Sequence, residues 1–402
     1  MHPPPGEEHM ELTVSPSLRL LPPSDLTAGR WYAEDAAEPK RWRIELPAAA
    51  CLLMCFAAGR DRETLAGDVA SKTGITRPEA DRLIETLLDI GLIKDAAVPA
   101  AERQERFGEV QRQWSEFGWV EAAEYHAGTY DYPFLDYAEG GRIIDTARMR
   151  QYVEQEPDDI RYKYYDGAPR LDLPAPSPEL APGSLADALM PVPHRKPDKD
   201  ALFAILSLTF GEIGKIQNGR WQRVPMMRRT SPSGGARHPC EGYVIVFDVP
   251  GVEAGTYHVL PEGPRLETVR ADVPSPEEFA AMFPVEFHRL EHAISAVIVL
   301  SCVFSRNMYR YREPRTFRTV HNDAGHLAGT AAMIATSIGV RSYVEYVGND
   351  TEIERFLGLD GFSEGFMLTV SLTTPGVSPQ ARNERRDLLV RSRSEPAEGG
   401  HE

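Results

Sequence analysis

Cysteine is scarce in this sequence: Cys51, Cys55, Cys240 and Cys302 are all there is in 402 residues, and no two form a CxxC pair. That scatter offers no metal-ligand set. Cys51 and Cys55 stand four apart in "ACLLMCFAA" and share one helix face, so they read as buried thiols of a core helix. Positive charge is also short. Lys and Arg number 44 against 60 Asp and Glu, a net charge of -16, so bulk attraction to nucleic acid or to an anionic membrane is not expected. No apolar run reaches membrane length and no signal-peptide pattern is present. The expectation is a cytoplasmic chain with reduced thiols and no membrane partner. Neither a Walker loop nor GxGxxG occurs, which removes the two common nucleotide motifs, and there is no internal repeat.

The chain is long enough to bury at least one large core. Its first residues, "MHPPPGEEH", read as a loose terminus. The stretch to residue 97 carries a helical apolar run, Leu46 to Ala58, then "RETLAGDVASKTG" and "TRPEADRLIETLLDIGLIKD". In the last piece Thr76 is a candidate N-cap, Pro78 suits the first turn, and Glu79 completes a capping box. Leu83, Leu87 and Ile90 repeat at helical spacing, Gly91 is a stop, and "LIKD" suits a wing strand. Three short helices with a small strand pair predict a winged-helix-like domain over 1–97.

Residues 98–190 are less regular. They are dense in tyrosine ("EYHAGTYDYPFLDY", "DIRYKYYDG") and end near the extended "LPAPSPELAPG", so they read as an aromatic-rich connecting segment. Residues 191–376 alternate helix and strand. "DALFAILSLTFGEIG" has a helical period, and "GYVIVFDV", "HAISAVIVLSCVF" and "GFMLTVSLTTP" are strands. "RTVHNDAGHLAGTAAMIATSIG" is a long helix of small residues stopped by Gly339. The pattern predicts an α+β fold, a sheet flanked by helices. Residues 377–402 read as a flexible tail.

One loop concentrates chemistry. In "RRTSPSGGARHP", Arg228 to Pro239, Pro232 and the glycines suppress helix just ahead of a strand. Gly234 and Gly235 let backbone N–H groups approach a ligand closely. Ser231 and Ser233 add hydroxyls, and Arg228 and Arg229 supply charge suited to a phosphate or a polarised carbonyl. By itself this reads equally well as a tight turn with solvated arginines. A second cluster, "MYRYREPRTFRTVHNDAGH", holds five arginines or tyrosines between Tyr309 and Arg315, then Asp323 and His326. A third, "SYVEYVGNDTEIERFLGL", reads as a strand ending at Val347-Gly348 and a short helix capped at Asp350.

Over about 190–376 these pieces resemble the FMN-dependent nitroreductase superfamily, and within it the SagB-type (thiazole/oxazole) dehydrogenase branch. "PSGG" resembles the family's flavin-edge segment, and "GTYHV" (Gly255 to Val259) its "GLYHY" strand. "DAGHLAGTAAMIATSIG" resembles its dimer-interface helix, and "YVGNDTEIERFLGL" its flavin-face turn. The resemblance implies a nitroreductase-like sheet, a homodimer and FMN at the interface. A winged-helix-like unit often precedes the dehydrogenase and is similar to peptide-recognition domains. Carried over, Pro232, Ser233 and Gly234 run beside the isoalloxazine, and Val347 and Gly348 present backbone groups to its reactive edge. Arg195 in "PHRKPDKD" and Arg229 are the two candidates for the FMN phosphate; the family's Arg-Ser segment is absent. The family's Lys-Tyr pair is here Arg310-Tyr311. Arginine does not give up its proton. Arg310 is therefore an electrostatic clamp, and Tyr311 the candidate general acid/base. A shift in the alignment would move the role toward Tyr309, two residues before Tyr311, and His238, His321 and His326 rank below Tyr311.

The implied function is FMN-dependent dehydrogenation of azoline heterocycles to azoles during maturation of a ribosomal peptide. The partners implied are a leader-bearing peptide and a cyclodehydratase or another maturation enzyme. The missing lysine leaves room for another redox step on a peptide, or for a general nitro or quinone reductase. A redox-sensing winged-helix regulator fits less well, because "RPEADRLIETLLDIG" has more acids than bases, poor for phosphate contacts.

Overall fold

The computed structural model of the protein describes residues 10–24, 27–37, 40–57, 59–130, 135, 138–156, 161–174, 190, 193–216, 225–290 and 292–376. "MHPPPGEEH", most of "LPAPSPELAPG" and the tail 377–402 lie outside them. The chain divides into two compact units, Met1–Asp136 and Tyr137–Glu402. The division falls inside the stretch read as a connector.

The first unit opens with β1 (Glu11–Val14) and a meander of β2 (Leu18–Leu21), β3 (Trp31–Asp35) and β4 (Lys40–Ile44). There follow α1 (Leu46–Ala57), β5 (Arg60–Asp61), α2 (Arg62–Thr73), α3 (Arg77–Asp89) and β6 (Ile93–Asp95). β1 pairs antiparallel with both β5 and β6. The helices and this small sheet bury Leu12, Leu52, Leu65, Val69, Ile84, Leu87 and Ile93 together. Local chemistry sets the ends. The Glu79 carboxylate accepts hydrogen bonds from the Thr76 N–H and hydroxyl, both at 2.7 Å, fixing the start of α3. Gly74, at φ 77°, ends α2. Cys51 and Cys55 are buried free thiols of α1.

Among its described residues the connector is largely helical. It contains α4 (Glu102–Glu116), α5 (Val120–Thr129) and, in the second unit, α6 (Gly141–Gln155). Its apolar residues, the aromatics Phe107 and Trp114 among them, are set among charges, and that dilutes the helical period.

The second unit continues with β7 (Arg170–Asp172), α7 (Lys199–Phe210), β8 (Gly214–Ile216), β9 (Met226–Arg228), β10 (Cys240–Val246), β11 (Gly255–Leu260) and β12 (Arg265–Arg270). Then come α8 (Pro276–Met282), α9 (Pro284–Arg289), β13 (Ile294–Val303), α10 (Phe304–Arg310), α11 (Phe317–Ser337), β14 (Arg341–Glu345), α12 (Asp350–Leu357) and β15 (Glu364–Thr373). Seven strands form one antiparallel sheet in the order β14-β15-β13-β10-β11-β12-β7. One face packs Phe203, Leu206 and Phe210 of α7 and Leu327, Ala331 and Ala335 of α11 against Val244, Ile298 and Leu372. The other packs Phe279, Phe283, Ile353 and Phe356 against Tyr243, Ile245, Val297 and Val299. Cover on both faces explains why β10 and β13 read as unbroken apolar runs. The fold class is α+β, as the sequence predicts. Among the described residues no helix is long and apolar enough to cross a membrane.

Candidate functional site

Strand register brings the three motifs to one end of the sheet. The loop enters β10 at Cys240, which sits opposite Cys302 near the end of β13; Cys302 in turn pairs with Gly365 at the start of β15. α10 leaves β13 at that end. β14 runs toward it, because Glu345 pairs with Thr369, and so delivers Tyr346 to Gly348 there.

Helix α11 grips the loop. The Ser233 hydroxyl donates to Asp323 Oδ2 at 2.6 Å, and the Gly234 N–H to Oδ1 at 3.2 Å. Burial raises the pKa of the Asp323 carboxyl, and these two bonds pull it partly back. The Ser231 hydroxyl shares a 2.6 Å bond with the hydroxyl of Thr330. The backbone is twisted between these anchors: Gly235, Ala236 and His238 have φ of 59°, 52° and 47°. Only glycine adopts that region without cost. At Gly235 a Cβ would also collide with the Tyr311 hydroxyl. The structure thus lodges Tyr311 directly against the glycine loop.

Arg310 Nη2 donates to both oxygens of Asp145 in α6, at 2.8 and 2.6 Å, and its guanidinium lies 4.8 Å over the Tyr311 ring. Tyr309 turns the other way, its hydroxyl donating to the Glu156 carbonyl at 2.8 Å. His238 is buried, and its Nε2–H donates to the Met227 carbonyl at 3.0 Å. Burial, followed by the nearby Arg229 charge, brings its pKa down to about 3, so it is neutral at physiological pH. His321 is exposed and spends Nδ1 on the Phe317 carbonyl; His326 offers its carbonyl to Thr330.

The two phosphate candidates are not brought together. Arg229 lies at the loop end but is buried; Nε reaches the Met227 sulfur at 3.1 Å, Nη1 the Cys240 carbonyl at 3.3 Å, and Nη2 has no partner. Burial lowers its pKa to about 10, opposed by the Glu241 carboxylate. Arg195 lies at the opposite end of the sheet. Its N–H donates to the Gly339 carbonyl and Nε to the Ile338 carbonyl, while the neighbouring His194 bonds the Thr373 carbonyl. From Asp323 to Ile338 along α11 is roughly 22 Å at the helical rise per residue. Arg195 Nη2 is also buried without a partner.

In the third motif Val347 is half exposed, and its N–H donates to Glu345 Oε1 at 3.0 Å. Gly348 has no room for a Cβ, which would strike Ile353 and Phe366. The helix cap is Asn349, not Asp350: its side chain accepts from the Glu352 N–H at 3.3 Å, and Asp350 is the first helical residue.

Sequence reasoning missed a buried ionic network behind the loop. Arg306, 3% exposed, pairs with Glu241 and donates to the His238 carbonyl at 3.2 Å. Glu241 contacts His258 Nε2 at 3.0 Å, and His258 Nδ1 contacts Glu267 at 3.2 Å. Burial pushes the Glu241 carboxyl up, but Arg306, His258 and Arg229 outweigh it and hold its pKa near 2. These partners come from three strands and a helix, so no local motif marks them.

No family model matches the chain. It is 25% identical over 352 residues to the trifolitoxin-processing protein TfxB of Rhizobium leguminosarum bv. trifolii, covering 84% of this chain and 92% of that protein. It is 32% identical over 129 residues to a protein of Methanocaldococcus jannaschii provisionally named a nitroreductase, covering 32% of this chain and 63% of that protein. A solved nitroreductase-like structure from Anabaena variabilis superposes with a TM-score of 0.43 at 20% identity, covering 62% of this chain and 45% of that one. A chain of the E. coli microcin synthetase McbBCD complex with truncated pro-MccB17 bound gives 0.38 at 18% identity, covering 56% and 82%. The glycine loop gripped by α11, the arginine–tyrosine helix and the turn after β14 lie together at one end of the sheet. The chain is thus similar along most of its length to TfxB, and over about a third of it to a nitroreductase-like protein.

Proposed function

We propose that the protein is an FMN-dependent oxidoreductase that dehydrogenates azoline rings to azoles in a ribosomally made peptide. The observation that carries this reading is the Tyr311 hydroxyl set against Gly235, which joins a proton-handling group to the loop beside which a flavin ring would run. The residues present fit such a group. Gly234 and Gly235 offer bare backbone, and each of the two alternative phosphate arginines, Arg195 and Arg229, has a buried guanidinium nitrogen without a hydrogen-bond partner. When bound, FMN supplies the two-electron acceptor, which oxygen restores. Tyr311, as its phenolate, would take the ring proton lost during aromatisation. Arg310, fixed by Asp145, holds that phenol in place and polarises it. Pro232, Ser233 and Gly234 would hold the flavin ring on one side, and Val347 and Gly348 would present backbone groups to it.

The separation of Arg195 from the loop supports a homodimer, with one protomer's Arg195 and its partner's loop serving one flavin. The winged-helix-like region of the first unit suits a leader peptide added as an edge strand. A cyclodehydratase that forms the azoline is the matching partner. Arginine in place of lysine before Tyr311 keeps a second reading open, another flavin-dependent redox step on a peptide.

The visible spectrum of the purified protein tests the cofactor: flavin bands, with FMN released on denaturation, are expected. Stopped-flow reduction tests the chemistry. Tyr311→Phe is expected to keep FMN and to slow substrate-driven flavin reduction about a hundredfold, the usual size of a lost general acid/base. A wild-type rate in that variant would remove Tyr311 from the mechanism.

A further inference from the structure

Helices α4 and α5 fold back on one another, and a cleft of about 260 Å³ opens between them. One wall is the stripe Phe107, Val110 and Trp114 of α4, at the three- and four-residue spacing of a single helix face. The other is Ala123 and His126 of α5, with Tyr130 at its end. Trp114 stacks on His126 with centroids 5.1 Å apart, and Tyr130 stands edge-on to Phe107 at 6.5 Å. The rings brace each other, while the small Ala123 leaves the space between them unfilled. Two arginines stand at this cleft. Arg103 lies 5.8 Å over the Tyr130 ring, and the exposed Arg106 reaches Glu109 only loosely, at 3.9 Å.

Size narrows the occupant. Pockets for whole small molecules and cofactors run from about 300 to 1,000 Å³. This cleft is smaller and takes one large side chain. Charge narrows it further: in a chain of net charge -16, an aromatic slot flanked by two arginines complements carboxylates.

We propose that the α4–α5 cleft anchors an acidic peptide segment, with one aromatic or long aliphatic side chain in the slot and neighbouring carboxylates on Arg103 and Arg106. This contact lies outside the β5-β1-β6 sheet, so it adds a second grip on a peptide to any strand added at that sheet's edge. That the peptide is the enzyme's own substrate rests on the proposed function; the binding does not.

The test is fluorescence anisotropy with the full chain at low salt. The probe is a fluorescein-labelled peptide with one phenylalanine centred in a run of glutamates. Saturable binding is expected. It should weaken about tenfold or more when the peptide phenylalanine becomes serine, and likewise in the Arg103→Glu/Arg106→Glu protein. Both arginines are exposed, so the fold is kept; Val110→Trp, which fills the slot, should weaken binding while leaving the arginines in place. Absence of saturable binding overturns the proposal. So does equal binding of the serine peptide, which would reduce the contact to surface charge, or unchanged affinity in the charge-reversed protein. Flavin content is read on the same preparations. A flavin-free protein that binds the peptide in this way would refute the oxidoreductase reading and leave the cleft standing.

Discussion

Gly235 and Tyr311 constrain each other, and each substitution reports on the other. Gly235→Ala is expected to cost about 1–2 kcal/mol from its positive φ alone. Its new Cβ must also displace the Tyr311 hydroxyl. Substrate-driven flavin reduction should therefore fall toward the Tyr311→Phe rate while FMN stays bound; stopped-flow absorbance separates the two effects. Arg310→Lys retains a charge opposite Asp145 and should keep appreciable activity. Arg310→Ala removes that ion pair and should not. His238 gives a pH test. Its folded pKa near 3 lies below the ordinary 6.5, so between those values the unfolded chain binds a proton that the folded chain refuses. Stability therefore falls as pH drops through this window, by up to about 1.4 kcal/mol per pH unit from this one group. Asparagine tolerates the φ of 47°, so His238→Asn should flatten the decline. Urea midpoints at pH 6.5 and 5 measure it above most of the carboxylate range.

At the scale of elements, what was legible followed from local chemistry. Thr76, Pro78 and Glu79 announced α3 because a capping box needs only four residues. Glu79→Ala removes the acceptor of two 2.7 Å bonds and is expected to lower stability, visible as a downward shift in melting temperature. β10, β13 and β15 were legible as apolar runs because both faces of the sheet are covered. The loop and Tyr311 were legible as motifs, but their contact was not, since it depends on α10 leaving β13 beside the entry to β10. The meander β2–β3–β4 and helices α4 to α6 were missed. Trp31, Tyr32 and Trp42 sit among charges, as do Phe107 and Trp114, and neither period stands out. The Glu241–His258–Glu267–Arg306 network was illegible for a different reason: its members meet only across strands.

At the scale of the whole molecule, two units with separate cores make a division of labour testable. The cut belongs at Asp136/Tyr137, because a break at residue 97 would strand α4 and α5. Residues 137–402 alone are expected to keep FMN and to reduce a small electron acceptor at near the full-length rate. The Michaelis constant for a leader-bearing peptide should rise about tenfold or more. Steady-state kinetics on both substrates decide; a parallel fall would make the first unit a support and not a peptide clamp.

The position of Arg195, at the far end of α11 from Asp323, carries a genetic consequence. In a homodimer whose sites each borrow from both subunits, two crippled copies can rescue one another. Arg195→Ala and Ser233→Trp chains, each inactive alone, would on random mixing form mixed dimers as about half of the population, each with one site untouched by either substitution. Co-expression should then restore about a quarter of wild-type turnover, a complementation that sites built within a single chain cannot produce.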